Sequence, residues 1–364
     1  MTTNDPNLGA AWNVGEWSEL YVLSKILIDG GAYGSFNREQ RFEDDFHQVF
    51  EVIIPNQVHG KSFVYRITNG AVDKYSDNEF ICGIDVDKLR GLNSRFFDDI
   101  LSPSKKSTFE SQLGMEILEL LGKDSPSATS ASRINDLELV LMDKWAGAPT
   151  PPVGFSIKSQ VGSPSTLLNA SGATNFEFEI LNRLNANLDQ IVIDSNKSVQ
   201  KLVKNLCAAG CELSFTRMHS ESFAHKLTLL DSKMVENVSD LVKSFYSSDL
   251  NLVADVANMA FPSSDSNSQQ RIFKVKQFLG AIAMGLRPSG DWDGDTTKFK
   301  GIIIAKKNGE VVLYYVYNLS QFQEFLFSSV KFEVASTNRH KFGSLIQRSG
   351  KLYIDLNLQI RFIS

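Results

Sequence analysis

Asp136 opens one short apolar stretch, "INDLELVLM", and Lys158 sits inside the next, "GFSIKSQVG", with the proline-rich connection "APTPP" between them. Both stretches read as strands: Phe155 and Ile157 alternate with Ser156 and Lys158 before a Gly-Ser-Pro turn. An ammonium in a half-buried strand is costly unless a charged group faces it. Every second residue of a strand points to one face, so on adjacent strands Asp136 and Lys158 can converge. A carboxylate and an amine meeting a divalent ion and a phosphate are parts of a phosphodiester-hydrolysing site. The ion neutralises the phosphate and acidifies a water, carboxylates hold the ion, and a cation attends the developing charge. Mg²⁺ takes oxygen ligands in octahedral geometry and keeps several waters, and a second carboxylate usually completes its site. Glu16 or Glu19, Glu138, and Glu177 or Glu179 in "TNFEFEI" are the candidates for it.

The elements that must position these groups follow from periodicity. "GEWSELYVLSKILIDGG" places Trp17, Leu20, Leu23, Ile26 and Leu27 on one helix face and ends at paired glycines. Strand-like pieces "FEVII", "KSFVYRI" and "FICGIDV" follow, with a hairpin-type turn at Asn69-Gly70. A helix over Phe109 to Leu121 leads into the polar loop "KDSPSATSAS". From about Leu181 to Met284 the chain reads as mainly helical with one strand at "CELSFTR". "PSSDSNSQQ", Pro262 to Gln270, has a linker's composition and divides the chain into 1–262 and 271–364. Beyond it stand "GIIIAKK", an Asn308-Gly309 turn, "EVVLYYVYN", a short helix near Gln321 to Phe327 and "LYIDLNLQIRFI". Helices before and between strands predict an α/β (α+β) protein with a mixed central β-sheet flanked by helices.

Composition narrows the class. The chain has 364 residues, 42% apolar and 22% charged, as in ordinary soluble globular proteins. No apolar run approaches the roughly 20 residues that cross a bilayer, and "MTTNDPNLGAAW" lacks a secretory pattern, which together predict a cytoplasmic protein with no membrane partner. Three cysteines cannot make a disulfide framework for this length. A net charge of -5 leaves room for a local basic face on nucleic acid. Cys207, Cys211, His219 and His225 have a middle gap shorter than a zinc finger's, and the two cysteines read as core residues. "DWDGDTTKFKGI" lacks the glycine and terminal glutamate of a calcium loop. Neither a Walker A pattern nor a nucleophile elbow is present.

The Asp136 and Lys158 arrangement resembles the PD-(D/E)xK nuclease core, with Ser156 in the usual acidic position. "GEWSELYVLSKIL", "GFSIKSQVGSPSTLLNASGATNFEFEI", "FLGAIAMGL" and "LNLQIRFI" are similar, in the same order, to blocks of the HpaII-type restriction endonucleases, over residues 15 to 362. The resemblance implies a restriction-endonuclease-like core with a β-rich C-terminal region, and a Mg²⁺-dependent type II enzyme cutting both strands of double-stranded DNA at a short palindrome, CCGG. It implies a catalytic set of Asp136, Lys158, Ser156, Gln160 and Glu19, with Asp136, Glu19 and Ile157 at the metal. Glu19 leads the candidate glutamates because nucleases of this fold lend one from the first helix. The polar run containing Ser163, Thr166, Asn169, Ser171, Thr174 and Asn175 would suit DNA backbone, with Arg339 and Lys341 as further DNA contacts. A homodimer and a cognate DNA methyltransferase as genetic partner are also implied. Rival readings are a structure-specific repair nuclease on the same core and a DNA-binding protein without activity.

Overall fold

The structure is a computed structural model and describes residues 11–34, 44–55, 62–102, 108–127, 135–144, 146–162, 165–183, 186–292, 294, 299–315 and 319–363. The chain forms two compact units, each discontinuous in sequence. The first takes 1–165, 296–318 and 364; the second takes 166–295 and 319–363. The compositional linker 262–270 therefore lies within the second unit, where its last residues already belong to the helix Ser268–Ala283.

The first unit is built on a mixed sheet. Its strands run, edge to edge, Glu79–Ile84, Ala71–Ser76, Ser62–Thr68, Phe46–Pro55, Gly31–Gly34, Val311–Tyr315, Phe299–Ala305, Val153–Ser159, Leu137–Asp143 and Ala148–Pro149. Leu137–Asp143 also pairs with Phe46–Pro55, so hydrogen bonding returns on itself through part of the sheet. The Lys158 strand, Val153–Ser159, has a parallel neighbour in Phe299–Ala305 and an antiparallel one in Leu137–Asp143. Phe155, Ile157, Leu137, Leu139 and Ile303 form one continuous core face with the first helix. That burial, at about 1.5–3 kcal/mol per large side chain, holds the two central strands in register.

The first helix, Val14–Asp29, begins where expected and for a local reason. Asn13 caps the Glu16 amide while the Glu16 carboxylate accepts from the Asn13 amide, a reciprocal capping box. Gly30, at φ 69°, stops the helix in a left-handed turn that feeds directly into Gly31–Gly34. Trp17 is fully buried and donates its indole N–H to the Phe109 carbonyl at 3.1 Å. Ser18 Oγ and Ser159 Oγ lie 2.8 Å apart, tying the helix to the core side of the Lys158 strand. Several elements differ from the sequence reading, among them the strands Gly31–Gly34, Ala71–Ser76 and Asn175–Leu181, which it did not name. Thr108–Phe109 is a short strand paired with Trp12–Asn13, so the following helix is Gln112–Leu121. The amphipathic helix Val86–Leu101 was not anticipated.

The second unit contains most of the helices, with the expected strand at Glu212–Met218 among them. Its strands make a three-stranded sheet, Thr166–Leu168, Ile360–Phe362 and Val330–Phe332, and a four-stranded antiparallel one, Glu212–Met218, Asn175–Leu181, Lys351–Asn357 and Leu345–Arg348. No described helix is long and apolar enough to cross a membrane.

Candidate active site

Asp136 sits one residue before its strand and is locked against the Lys158 strand. Its amide donates to the Phe155 carbonyl at 2.8 Å. Its Oδ2 accepts from the Ser156 hydroxyl at 2.9 Å and from the Ile157 amide at 2.5 Å. The pairing of Leu137 with Phe155 and Glu138 with Gly154 explains why. Continued by one residue, it sets Asp136 beside Ser156, and cross-strand neighbours share a face. Ser156 and Lys158 point away from the Phe155 and Ile157 core face, so Asp136, Ser156 and Lys158 lie on one side of the sheet. Lys158 and Gln160 are half-buried there. The serine at the usual acidic position thus acts as a hydrogen-bond donor that orients the aspartate.

The candidate second carboxylates part company. Glu138 shares the Asp136 face, because it is two residues along the same strand. Glu16 is the capping-box acid. Glu19 follows Ser18 on the helix that covers the opposite, core face, and it interacts electrostatically with Lys123. Burial pushes the Lys123 ammonium down to about 8, against the pull of Glu19. Glu177 is buried and accepts from Arg217, Arg348 and Thr216, and Glu179 pairs with Lys351 at 2.9 Å. Ile157 brings main-chain atoms against the Asp136 carboxylate through its amide.

The residues around Asp136 fit a hard divalent ion. On that face Asp136, Ser156 and Glu138 offer carboxylate and hydroxyl oxygen, and Mg²⁺ is ordinarily held by one or two carboxylates plus substrate oxygens and water. Among the described residues, a trio of ligand-type side chains at metal-like spacing occurs elsewhere, at Glu177, His219 and Asp355. His219 Nε2 lies 2.8 Å from Asp355 Oδ1, so this histidine is engaged with a carboxylate and not with the cysteines. Cys211 is buried as expected, whereas Cys207 is exposed.

The expected DNA-contacting run is only partly outward. Ser163 lies outside the described residues. Thr166 is half-buried, and Asn169 is exposed. Thr174 and Asn175 correct the expectation: both are buried, at 0% and 2% exposure. The Asn357 amide donates to Thr174 Oγ1 at 3.0 Å and to Asn175 Oδ1 at 2.7 Å, and Asn175 donates to the His340 carbonyl at 3.0 Å. Ser171 caps the short turn that follows it, receiving the Ala173 amide. The side chains of Thr174, Asn175 and Asn357 build an internal polar knot. Arg339 and Lys341 are exposed, as a DNA contact requires.

Comparison with known proteins gives one direction. The family model described as HpaII restriction endonuclease matches residues 13–362. The chain is 31% identical over 358 residues to the type II restriction enzyme HpaII of Haemophilus parainfluenzae, covering 96% of this chain and 98% of that protein. No solved structure gives a match.

Proposed function

Because the chain belongs to the HpaII restriction endonuclease family, whose members are type II site-specific deoxyribonucleases, we propose that it cuts both strands of duplex DNA at CCGG with Mg²⁺. The observation that carries this reading is the Asp136 carboxylate held by Ser156 and Ile157 on the face that Lys158 shares. Asp136 would hold the ion, with Glu19 or Glu138 as the candidate second ligand, Glu138 lying two residues along the same strand. A bound Mg²⁺ supplies charge neutralisation at the phosphate and a more acidic water. Lys158 contributes a positive charge beside the scissile phosphate, where negative charge grows in the transition state. Gln160, one alternation further on, orients water or a phosphate oxygen. A two-fold palindrome is matched by a two-fold homodimer, one copy for each strand. A cognate methyltransferase protecting the host's own sites, and a cytoplasmic location alongside the chromosome, complete the proposal.

Digestion of plasmid DNA of known sequence tests it. Discrete fragments with ends at CCGG are expected with Mg²⁺, and none with EDTA. Lys158→Ala should slow cutting by roughly 10²–10³-fold, the usual cost of removing one transition-state charge contact. Wild-type cutting by that variant would remove Lys158 from the mechanism. A smear or a preference for branched DNA would favour a structure-specific nuclease, and tight binding without nicking a non-catalytic protein.

A further inference from the structure

The four-stranded sheet of the second unit has one apolar face and one polar one. Phe176, Phe178, Leu213, Ile354 and Leu356 are buried on the apolar side. The alternate position on the central strand is Glu177, whose cross-strand partners are Arg217 and Asp355. Glu177 is a nearly inaccessible carboxylate, its side chain 3% exposed, flanked by two arginines that are 58% and 48% exposed. Arg217 gives it Nε at 3.2 Å and Nη2 at 3.4 Å; Arg348 gives it Nη2 at 3.0 Å. The Arg348 guanidinium also lies 4.4 Å from the Tyr353 ring centre. Burial alone would raise the Glu177 pKa, but the hydrogen bonds from Arg348, Arg217 and Thr216 outweigh it and hold the group at about 2.

Burying a carboxylate between exposed cations is a poor way to stabilise a sheet, since well-packed apolar residues do as well or better. What the arrangement supplies is direction. Each guanidinium is clamped by a fixed acceptor while most of its five N–H donors stay uncommitted to Glu177. Glu177, Glu179 and Asp355 nearly balance Arg217, Arg348 and Lys351 on the sheet, which makes it a weak electrostatic clamp for phosphate but a good array of aimed donors. The same two arginines disfavour a cation at Glu177, His219 and Asp355. Guanine offers O6 and N7 side by side in the major groove, the pair of acceptors an arginine fork matches.

We propose that Arg217 and Arg348, oriented by Glu177, read guanine edges in the major groove of the target duplex. This rests on the reading of the protein as a site-specific nuclease and names where the site is read. Lysine keeps the charge of arginine and loses the fork. Three proteins are compared, the wild type, Arg217→Lys and Arg348→Lys, on a short duplex bearing the mapped site and on a scrambled duplex. The same site is also made with 7-deazaguanine, which lacks the N7 acceptor, at each guanine in turn. Each lysine variant should cut the mapped site roughly 10–100-fold more slowly, the cost of one bidentate base contact. Its binding to the scrambled duplex should stay within about twofold of wild type, since phosphate contacts are sequence-independent. The wild type should lose a similar factor on at least one 7-deazaguanine duplex. The modified duplexes need no variant, so a variant that fails to fold leaves the test intact. A wild-type enzyme indifferent to 7-deazaguanine at every position, or lysine variants that cut the site normally, would overturn this inference alone. A wild-type protein that cuts no DNA would overturn it together with the nuclease reading.

Discussion

Glu177 shows what a single residue's surroundings dictate. Its folded pKa of about 2 lies below its ordinary value of 4.5, so its ion pairs add stability above pH 4.5. That contribution falls away as pH drops from 4.5 towards 2. Urea midpoints measured across that window should fall more steeply for the wild type than for Glu177→Gln, which has no carboxylate to protonate. At this scale the sequence was legible where contacts follow strand alternation. The placing of Ser156 and Lys158 on one face needs only a period of two, whereas the Asn13 and Glu16 capping box, though only three positions apart, was not read. The internal role of Thr174 and Asn175 was not legible, because their partner Asn357 is 182 positions from Asn175. A polar run reads as a loop until the distant residue that buries it is known. The clustering of Arg217 and Arg348 around Glu177 escaped notice for the same reason.

Among elements, the site depends on how closely the two central strands approach. A Cβ built on Gly154 would stand 1.9 Å from the Asn135 side-chain nitrogen, and Asn135 immediately precedes Asp136. Gly154→Ala must therefore displace the Asn135 side chain, and we expect the adjacent Asp136 to shift from its hydrogen bonds with Ser156 and Ile157. Cleavage should fall by roughly 10²-fold, as expected for about 1 Å of misplacement, while the far-ultraviolet circular dichroism stays that of the wild type. Wild-type rates would mean that Asp136 does not need this seating. The two central strands were recognisable from alternation and the first helix from its apolar spacing and glycine stop, whereas Ala71–Ser76 and Asn175–Leu181 were not read as strands. The helix Val86–Leu101 was not, although its apolar residues at Leu89, Leu92, Phe96, Phe97 and Ile100 carry the spacing.

For the molecule as a whole, the order of segments matters more than their composition. Polar, serine-rich residues at 262–270 suggest a boundary, yet the first unit draws on 296–318 to finish its sheet. Phe299–Ala305 is the parallel neighbour of the Lys158 strand from Gly154 to Ser159. A fragment ending at residue 262 lacks it and would expose the apolar edge beside Lys158. Such a fragment should be insoluble or melt without a cooperative transition, whereas the full chain melts cooperatively. A soluble 1–262 fragment with a sharp melt would show that the strand is dispensable. Local composition cannot reveal that a domain is completed by a segment more than a hundred residues downstream.

This arrangement also bears on when the protein becomes dangerous to the cell that makes it. The parallel neighbour of the Lys158 strand is synthesised more than a hundred residues after it. A half-made polypeptide holds Asp136 and Lys158 but lacks the parallel neighbour of the Lys158 strand. On the proposal that these two residues cut DNA, chains halted before about residue 305 should show no cleavage, so the hazard begins only once that strand has been made.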